Sequence, residues 1–332
     1  MKGTGNAGTN WRPSAAPEML RLRAALLART RGFFADRGVL EVDTPMVVNS
    51  PVTDVHIHTA RVTLEASLAG SPTPPPYFLH TSPEYAMKRL LAAGVGDIYQ
   101  ICHVVRGLER GRLHNAEFTL IEWYRLGYSL EALMSEVEAL LSSLLGAAAA
   151  TRVSVRLSYR EAFLQELALD PFTASHEELL ARARQAGFNG PAGDRDELLE
   201  LLMGTVVGPR LGQGALTFVH GYPASQAALA QLDPHDPRAA QRFELYCDGI
   251  ELANGFHELA SAAEQRTRFE RDLAERRRLG LPEATIDERL LAALEAGLPD
   301  CCGVALGFDR TLMIAACAER LDAVLPFPIE RA

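Results

Sequence analysis

Four short segments of the sequence carry side chains that could bind phosphate, a divalent cation or an amine. One of them, RGLERGRLHNAEFTLIEWYR, spans residues 106–125 and joins two strand-like runs through a loop rich in Arg, His and Asn. An arginine at the end of a strand can hold a phosphate through two parallel hydrogen bonds, which makes Arg106 a candidate ligand. Phe118, on the returning strand, could stack on a nucleobase. Taken alone, the segment is more typical of an exposed charged hairpin.

A second segment, GIELANGFHELA at residues 249–260, places Glu251 and Glu258 seven positions apart. Two convergent carboxylates suit Mg²⁺, which accepts one or two carboxylates together with substrate phosphates. In an extended chain this spacing puts the two side chains on opposite faces. Both can reach one site only if the chain bends, and we expect that bend near Asn254 and Gly255. The alternative is a pair of ordinary surface glutamates.

The other two segments begin helices. In GVALGFDRTLMIA, residues 303–315, a strand of small residues turns at Gly307 into a helix, and Arg310 lies near its start, where free N–H groups favour a phosphate. In HTSPEYAMKRLL, residues 80–91, Glu84 in the first turn of the helix could meet a cation. The alternatives are a tightly packed strand–helix joint and a capped helix without function.

The elements that must position these residues are strands and helices in the order typical of an α+β fold. Their spacing predicts an antiparallel sheet flanked by helices, with a hairpin at Asp248-Gly249. We expect residues 1–16 to be a flexible N-terminus and residues 17–332 to form a single domain with a helical insertion at about 153–212. The predicted helices are 18–37, 82–94, 129–145, two within 260–296, and 309–317. The predicted strands are 39–42, 77–80, 98–105, 117–125, 216–220, 243–247, 250–254 and 303–306.

The composition argues against several other classes of protein. Hydrophobic residues make up 48% of the chain, which is enough for a large core and argues against global disorder. The net charge of −9 and the lack of a Lys/Arg run argue against a broad nucleic-acid footprint. No stretch reaches the roughly 20 apolar residues of a membrane helix. The five cysteines fit neither a zinc site nor a disulfide framework, so we expect reduced thiols and a cytoplasmic protein.

Together, the segments resemble in order and content the three signature motifs of class II aminoacyl-tRNA synthetases. GVLEVDTP, with Pro45 as its proline, is similar to motif 1, which implies a homodimer. The hairpin that begins at Arg106 is similar to motif 2, and GFDR with Arg310 is similar to motif 3. The resemblance covers nearly the whole chain from about residue 18. It implies that residues 17–332 are a class II synthetase-like catalytic domain.

Within class II, the chain is most similar to lysyl-tRNA synthetases, in SPE, RLHNAEF, EWY and GIELANGFHEL. Because motif 1 is reached by residue 45, we expect no anticodon-reading domain before it. TSPEYAMKRLL, HNAEFTLIEWYR, FVHGYPASQAALAQ and IELANGFHEL together resemble the elongation factor P–lysine ligase family. That resemblance implies activation of (R)-β-lysine, or of lysine, by ATP with Mg²⁺, and transfer to a lysine ε-amine of elongation factor P.

The resemblance also implies roles for individual residues. Arg106 and Arg310 are the implied catalytic residues, and Glu251 and Glu258 are the implied Mg²⁺ ligands. The implied amino-acid site consists of Ser82, Pro83, Glu84, Glu122, Tyr124, Asn254, Glu258 and Ala305. The implied ATP site consists of Arg106, Gly107, Leu108, His114, Asn115, Phe118, Glu251, Leu252, Gly307 and Arg310. Ser82 and Ala305 stand where lysyl-tRNA synthetases typically have Ala and Gly, an exchange that would favour a displaced amine.

The sequence departs from the family pattern at two positions. Leu108 replaces an acid of motif 2, for which Glu109 could substitute, and Ser261 replaces an acid that follows the HEL element. Two other functions stay open from the residues. One is a truncated synthetase-like enzyme that acts on tRNA or another acceptor, which the missing anticodon domain disfavours, so that no tRNA partner is expected. The other is a non-catalytic regulatory paralogue, which the presence of Arg106 and Arg310 disfavours.

Overall fold

A computed structural model describes residues 11–64, 76–146 and 152–332, which form two sheets surrounded by helices. The strands are β1 (Leu40–Glu41), β2 (Val47–Val48), β3 (Arg61–Val62), β4 (Tyr77–Leu79), β5 (Ile98–Val105), β6 (Glu117–Leu126), β7 (Val153–Ser158), β8 (Ala215–Pro223), β9 (Ala239–Cys247), β10 (Ile250–His257) and β11 (Cys301–Gly307). The helices are α1 (Pro17–Ala35), α2 (Glu84–Ala92), α3 (Leu130–Leu145), α4 (Tyr159–Leu167), α5 (His176–Gln185), α6 (Arg195–Leu202), α7 (Ala262–Arg278), α8 (Glu288–Gly297) and α9 (Phe308–Ala315).

The main sheet has eight strands in the order β1-β5-β6-β11-β10-β9-β8-β7. Its inner pairs are all antiparallel, whereas the two edge strands β1 and β7 pair in parallel with their neighbours. The small sheet, β2-β4-β3, lies in the segment between β1 and α2. The predicted α+β class, an antiparallel sheet flanked by helices, is therefore confirmed.

The two faces of the main sheet have different coverings. Helices α1, α3 and α9 pack on one face around a core that contains Phe34 and Trp123, both fully buried. Helices α2, α7 and α8 enclose a second core, which contains Met87 and Phe269, at one end of the other face. Helices α4–α6 bury a third core, with Phe163, against β8. The middle of that second face is left for a cavity.

Local sequence accounts for most element boundaries. Ser129 begins α3 because its hydroxyl accepts the Ala132 N–H at 3.2 Å, which satisfies a free donor of the first turn. Asp248 and Gly249 have φ of 49° and 75°, the left-handed conformation that a tight hairpin turn requires. The predicted hairpin between β9 and β10 is therefore confirmed.

The helical stretch predicted at about 153–212 begins differently. Residues 153–158 form β7, because apolar and polar side chains alternate in VSVRLS as they do in a strand, so a purely helical stretch is wrong there. The predicted flexible N-terminus also differs where the structure describes it. The N–H groups of Ser14 and Ala15 donate to carbonyls of the C-terminal segment at 2.8 and 3.2 Å, so these two residues are attached. Within the described residues, no helix has the length and hydrophobicity needed to cross a membrane.

Candidate active site

A cavity of about 360 Å³ lies on the face of the main sheet away from α1 and α3. Its floor follows one row of paired residues, in which Glu122 of β6 faces Ala305 of β11 and Ala305 faces Asn254 of β10. Side chains that alternate with these, such as Ile121 and Val304, enter the core on the opposite face. The strand periodicity of the sequence therefore sorts polar residues into the cavity and apolar residues into the core.

Small residues on β11 give the cavity its depth. Gly303, Ala305 and Gly307 occupy alternate positions of this strand, and all three line the cavity. A Cβ atom at Gly303 would overlap the Tyr124 ring and a carboxylate oxygen of Glu258. Glycine at this position therefore lets these two side chains come together over the strand.

One end of the cavity holds two buried glutamates, one partly buried glutamate and a buried lysine, and we call Glu84, Lys88, Glu122 and Glu258 the carboxylate cluster. Glu84 and Lys88 lie one turn apart on α2, Glu122 lies on β6, and Glu258 directly follows β10. The Nζ atom of Lys88 lies 2.7 Å from Oε1 of Glu84 and 2.6 Å from Oε2 of Glu258. Packing of α2 over the sheet thus brings together groups that are far apart in sequence.

Glu122 is held by uncharged donors instead. Its two oxygens accept hydrogen bonds from the Ser82 hydroxyl and from the Tyr124 hydroxyl, both at 2.7 Å. Ala305 faces Glu122 from the neighbouring strand, so Ser82 and Ala305 both border the same carboxylate. The structure therefore places five predicted amino-acid-site residues, including Glu84, around one buried patch of negative charge.

The electrostatics of the cluster favour a cationic ligand. Burial, with the charge of Glu84 added, raises the pKa of Glu122 to about 7. Burial also raises the pKa of Glu258 to about 8, although Lys88 opposes the shift. Each carboxylate is less stable in its charged form than it would be in water, and a bound ammonium would relieve both.

Two of the arginines that line the cavity are the predicted phosphate ligands, Arg106 and Arg310. Arg106 follows β5, and its Nε donates to the Thr81 carbonyl at 3.3 Å while its Nη1 lies 3.4 Å from a carboxylate oxygen of Glu109. The guanidinium carbon of Arg106 lies 5.2 Å from the centre of the Phe118 ring, as in a cation–π contact. Glu109 is therefore the acid that lies beside Arg106, in place of the acid that is missing at Leu108.

Arg310, in the first turn of α9, has four contacts, the longest of which is an ion pair with a carboxylate oxygen of Glu251 at 3.6 Å. It donates to the carbonyls of Leu113 at 3.2 Å and of Glu251 at 2.8 Å, and its Nη2 lies 2.7 Å from Nε2 of His114. Burial and the charge of Arg310 lower the pKa of His114, which keeps this imidazole neutral and able to accept that hydrogen bond. The guanidinium is thus fixed at the cavity wall before any ligand arrives.

The chain does not bend where we expected it to. β10 pairs continuously with β11 through Asn254 and Gly255, so the bend predicted there is wrong. A β-bulge between Glu251 and Ala253 changes the side-chain alternation instead, because one extra residue in the strand turns the side chains before it to the other face of the sheet. Glu251 and Glu258 consequently line the same cavity in spite of their odd spacing.

The structure does not bring Glu251 and Glu258 together around one ion. They lie seven positions apart along extended chain, roughly 23 Å at about 3.3 Å per residue. Glu258 is paired with Lys88, whereas the pKa of Glu251 is raised by burial and by the neighbouring charge of Glu244 on β9. In the described part of the chain, no group of three or more His, Cys, Asp and Glu side chains is placed to hold a metal ion.

Some predicted site residues lie outside the cavity or have other partners. Leu108 is 71% exposed and does not line the cavity. Gly107, which donates its N–H to the His58 carbonyl at 2.7 Å, does not line it either. Pro83 lines a neighbouring, smaller cavity. Asn115 lines the cavity, but its side chain donates to the Glu117 carbonyl and accepts the Ile329 N–H, so it fastens the C-terminal segment. The other predicted residues all line the cavity, namely Ser82, Glu84, Arg106, His114, Phe118, Glu122, Tyr124, Glu251, Leu252, Asn254, Glu258, Ala305, Gly307 and Arg310.

Three features were missed in the sequence, although the first two have a signal there. Lys88 follows Glu84 by four residues, the spacing of a helical ion pair. Glu244 lies near Glu251 once the hairpin at Asp248-Gly249 sets the register of β9 and β10. The loop that follows β2, residues 51–60, covers part of the cavity, and Thr53 there donates to Asp272 of α7 at 2.8 Å.

Comparisons with known proteins agree with this architecture. The family model described as "tRNA synthetases class II (D, K and N)" matches residues 8–331. The chain is 49% identical over 323 residues to a protein of Vibrio parahaemolyticus, with 96% of this chain and 98% of the relative covered. It is 48% identical to proteins of Pasteurella multocida and of Salmonella typhi, each with 97% of this chain and 98% of the relative covered. All three relatives are named elongation factor P–(R)-β-lysine ligase.

Proposed function

The chain belongs to the class II tRNA synthetases and, within them, to the elongation factor P–(R)-β-lysine ligases, and from this premise we propose its reaction. The enzyme, a ligase, activates (R)-β-lysine with ATP as an aminoacyl-adenylate and transfers the acyl group to a lysine ε-amine of elongation factor P. One observation carries the proposal: a patch of negative charge and the two arginines Arg106 and Arg310 lie in the same cavity.

The charge of the carboxylate cluster suits a diamino acid. When all three carboxylates are ionised, they and the ammonium of Lys88 leave an excess of two negative charges. A lysine-type substrate carries two ammonium groups, which would balance this excess. In this proposal Glu84 binds the amine near the substrate carboxylate, Glu122 and Tyr124 bind the distal amine, and Ser82 with Ala305 shapes the space between them.

The arginines suit the activation step. The substrate carboxylate attacks the α-phosphorus of ATP, the bond to the β-phosphate oxygen breaks, and diphosphate leaves. Arg106 would stabilise the charge that develops on the α-phosphate, and Arg310 would hold the terminal phosphate. Phe118 would stack on the adenine. The Arg106 guanidinium already lies over one face of the Phe118 ring, so the adenine would contact the other face.

A magnesium ion would fit at Glu251, with Glu244 beside it, better than at Glu251 with Glu258. Burial raises the pKa of Glu251 and the charge of Glu244 adds to this shift, although nearby arginines oppose it, and a cation between the two carboxylates would relieve their repulsion. Mg²⁺ commonly takes one or two carboxylates with substrate phosphates, and when bound it would neutralise phosphate charge. Arg242 and the Tyr246 hydroxyl, which donates at 2.6 Å, hold Glu244 in place for this role.

In the transfer step, the acceptor nitrogen attacks the carbonyl carbon of the adenylate, and the carbon–oxygen bond to AMP breaks. The acceptor amine must lose a proton, and an unperturbed lysine has a pKa of about 10.4. The phosphate of the adenylate or an ionised glutamate of the carboxylate cluster would accept that proton. The enzyme would act on the translation factor in the cytoplasm, with a homodimer formed through the segment around Pro45.

The decisive experiment is intact-mass analysis of purified elongation factor P after incubation with the enzyme, ATP, Mg²⁺ and (R)-β-lysine. We expect a mass increase of one lysyl group on a single lysine, and no increase without ATP. Parallel reactions with lysine would rank the two amino acids. Formation of aminoacyl-tRNA with no modification of elongation factor P would contradict the proposal and favour the alternative acceptor.

A further inference from the structure

Lys88 is the one charged residue of the carboxylate cluster that the proposed reaction does not use. Its side chain is 1% exposed, and it bridges Glu84 and Glu258, which belong to different elements. The sequence contains 33 Lys and Arg residues, of which only Lys2 and Lys88 are lysines. A compact ammonium with three donors can bridge two carboxylates end-on, whereas a planar guanidinium favours side-on pairs. A lysine therefore suits the position between Glu84 and Glu258 better than an arginine would.

Lys88 contacts only one carboxylate oxygen of each of its two partners. It lies against Oε1 of Glu84 and Oε2 of Glu258, so the second oxygen of each carboxylate is not committed to it. Oε1 of Glu258 lies over Gly303, on the floor of the cavity. Each carboxylate can therefore keep its internal partner while it accepts a hydrogen bond from a ligand.

We propose that Lys88 is a positioning residue of the amino-acid site, an internal counterion that holds Glu84 and Glu258 in place and matches the charge of the site to a diamino substrate. This inference rests on the proposed function. Without Lys88 the three glutamates would face one another with no buried cation between them, and at least one would take up a proton. A protonated glutamate would have to lose that proton before it could pair with a substrate ammonium.

The charged and titratable groups around Lys88 are consistent with a permanently charged ammonium. They are Glu84 on α2, Glu122 and Tyr124 on β6, Glu258 after β10, and Cys301 on β11. Burial alone would lower the pKa of Lys88, but the charges of Glu258 and Glu84 outweigh it, so the pKa is raised above its usual value. Lys88 therefore supplies charge and geometry, and it does not serve as a base.

The test compares the wild-type enzyme with Lys88→Met, which removes the ammonium but keeps the length of the side chain. Arg89→Met is the matched control, since it removes a charge from the exposed neighbour on the same helix. Binding of lysine, and separately of ATP, is measured by calorimetry near neutral pH in two buffers that differ in ionisation enthalpy. This pair of buffers yields the number of protons released on binding.

We expect Lys88→Met to weaken lysine binding at least tenfold, to leave ATP binding within twofold of wild type, and to release more protons when lysine binds. Arg89→Met should match the wild type throughout. A purely structural role would not change the proton count. If Lys88→Met binds lysine within twofold of wild type and releases the same number of protons, the inference is overturned while the proposed function stands. If the wild type binds no lysine-type amino acid, the proposed function itself fails.

A folding measurement covers the case in which Lys88→Met can be purified but is too unstable for binding measurements. The double variant Lys88→Met/Glu258→Gln removes one charge of each sign, so it restores the charge balance without the ion pair. If Lys88 acts through its charge, the double variant should recover at least half of the Tm lost by the single variant. A double variant that is no more stable than Lys88→Met would overturn the inference.

Discussion

Arg106 and Arg310 differ in how firmly the protein holds them. Arg310 makes four contacts, two of them to main-chain carbonyls and one a long ion pair with Glu251, whereas Arg106 has a long hydrogen bond to a carbonyl and a loose ion pair with Glu109. The Arg106 guanidinium can therefore turn towards a phosphate with little loss of protein contacts. This difference fits a role for Arg106 at the phosphorus that reacts and for Arg310 at a phosphate that is only held.

The first prediction follows for Arg106→Ala. We expect lysine-dependent ATP–diphosphate exchange to fall by a factor of roughly 100 to 1,000, about 3 to 4 kcal/mol of transition-state stabilisation, because a charge-stabilising donor is lost. The matched control is Arg110→Ala, an exposed arginine of the same loop that does not line the cavity, and its exchange rate should stay near that of wild type. An Arg106→Ala enzyme with nearly normal exchange would show that another residue contacts the reacting phosphate.

The second prediction concerns pH and the two glutamates with raised pKa. Because the pKa values of Glu122 and Glu258 in the folded protein are about 7 and 8, these groups favour the folded state at acid pH, and that contribution is lost as pH rises through 7 to 8. A bound diamino acid needs both glutamates ionised, so the stabilisation that it gives to the folded protein increases as pH rises. The rise in Tm caused by saturating lysine should be larger at about pH 8 than at about pH 6.

Glu122→Gln is the control for this measurement. It removes one of the two titrating groups, so the dependence of the lysine effect on pH should become shallower. A Tm increase with lysine that is the same at both pH values would contradict the assignment of the carboxylate cluster to the substrate amines.

At the scale of elements, strand β11 controls the size of the cavity through Gly303. The third prediction is that Gly303→Ala destabilises the protein by about 1–3 kcal/mol and abolishes lysine-dependent exchange, because the new methyl group would overlap Tyr124 and Glu258. The free energy of unfolding in urea and the exchange rate report on the two effects. Gly32→Ala, in the last turn of α1 with no atom close to the new methyl group, is the control. It should stabilise the protein slightly, by about 0.5–1 kcal/mol.

At the scale of the whole molecule, net charge separates the two classes of acceptor. The chain carries a formal charge of −9, whereas each phosphate that a protein neutralises adds about −0.9 to the slope of log affinity against log salt for duplex nucleic acid. The fourth prediction is that the enzyme modifies elongation factor P but forms no measurable aminoacyl-tRNA at low salt. Acid-gel analysis of tRNA and mass analysis of elongation factor P, from the same reaction, check it. Charging of tRNA at a rate equal to protein modification would contradict it.

Most of the framework could be predicted from the sequence, because it depends on interactions between residues that are close in the chain. Short apolar or small-residue runs bounded by turn residues are enough to predict β6, β10 and β11, and helical spacing with a capping residue is enough for α3. The dipeptide Asp248-Gly249 predicts its hairpin because few residues adopt the left-handed conformation without strain. The motifs that contain Arg106 and Arg310 could be located in the same way.

Only the tertiary structure decided which of these residues meet. The sequence by itself determined that Glu84, Glu122 and Glu258 exist on particular elements, but the packing of α2 over the sheet put Lys88 between two of them. A single bulge in β10, which has no sequence pattern of its own, turned Glu251 into the cavity. The physical reason is range: local conformation depends on neighbours in the chain, whereas burial, ion pairing and shifted pKa values depend on groups that only folding brings within a few ångströms.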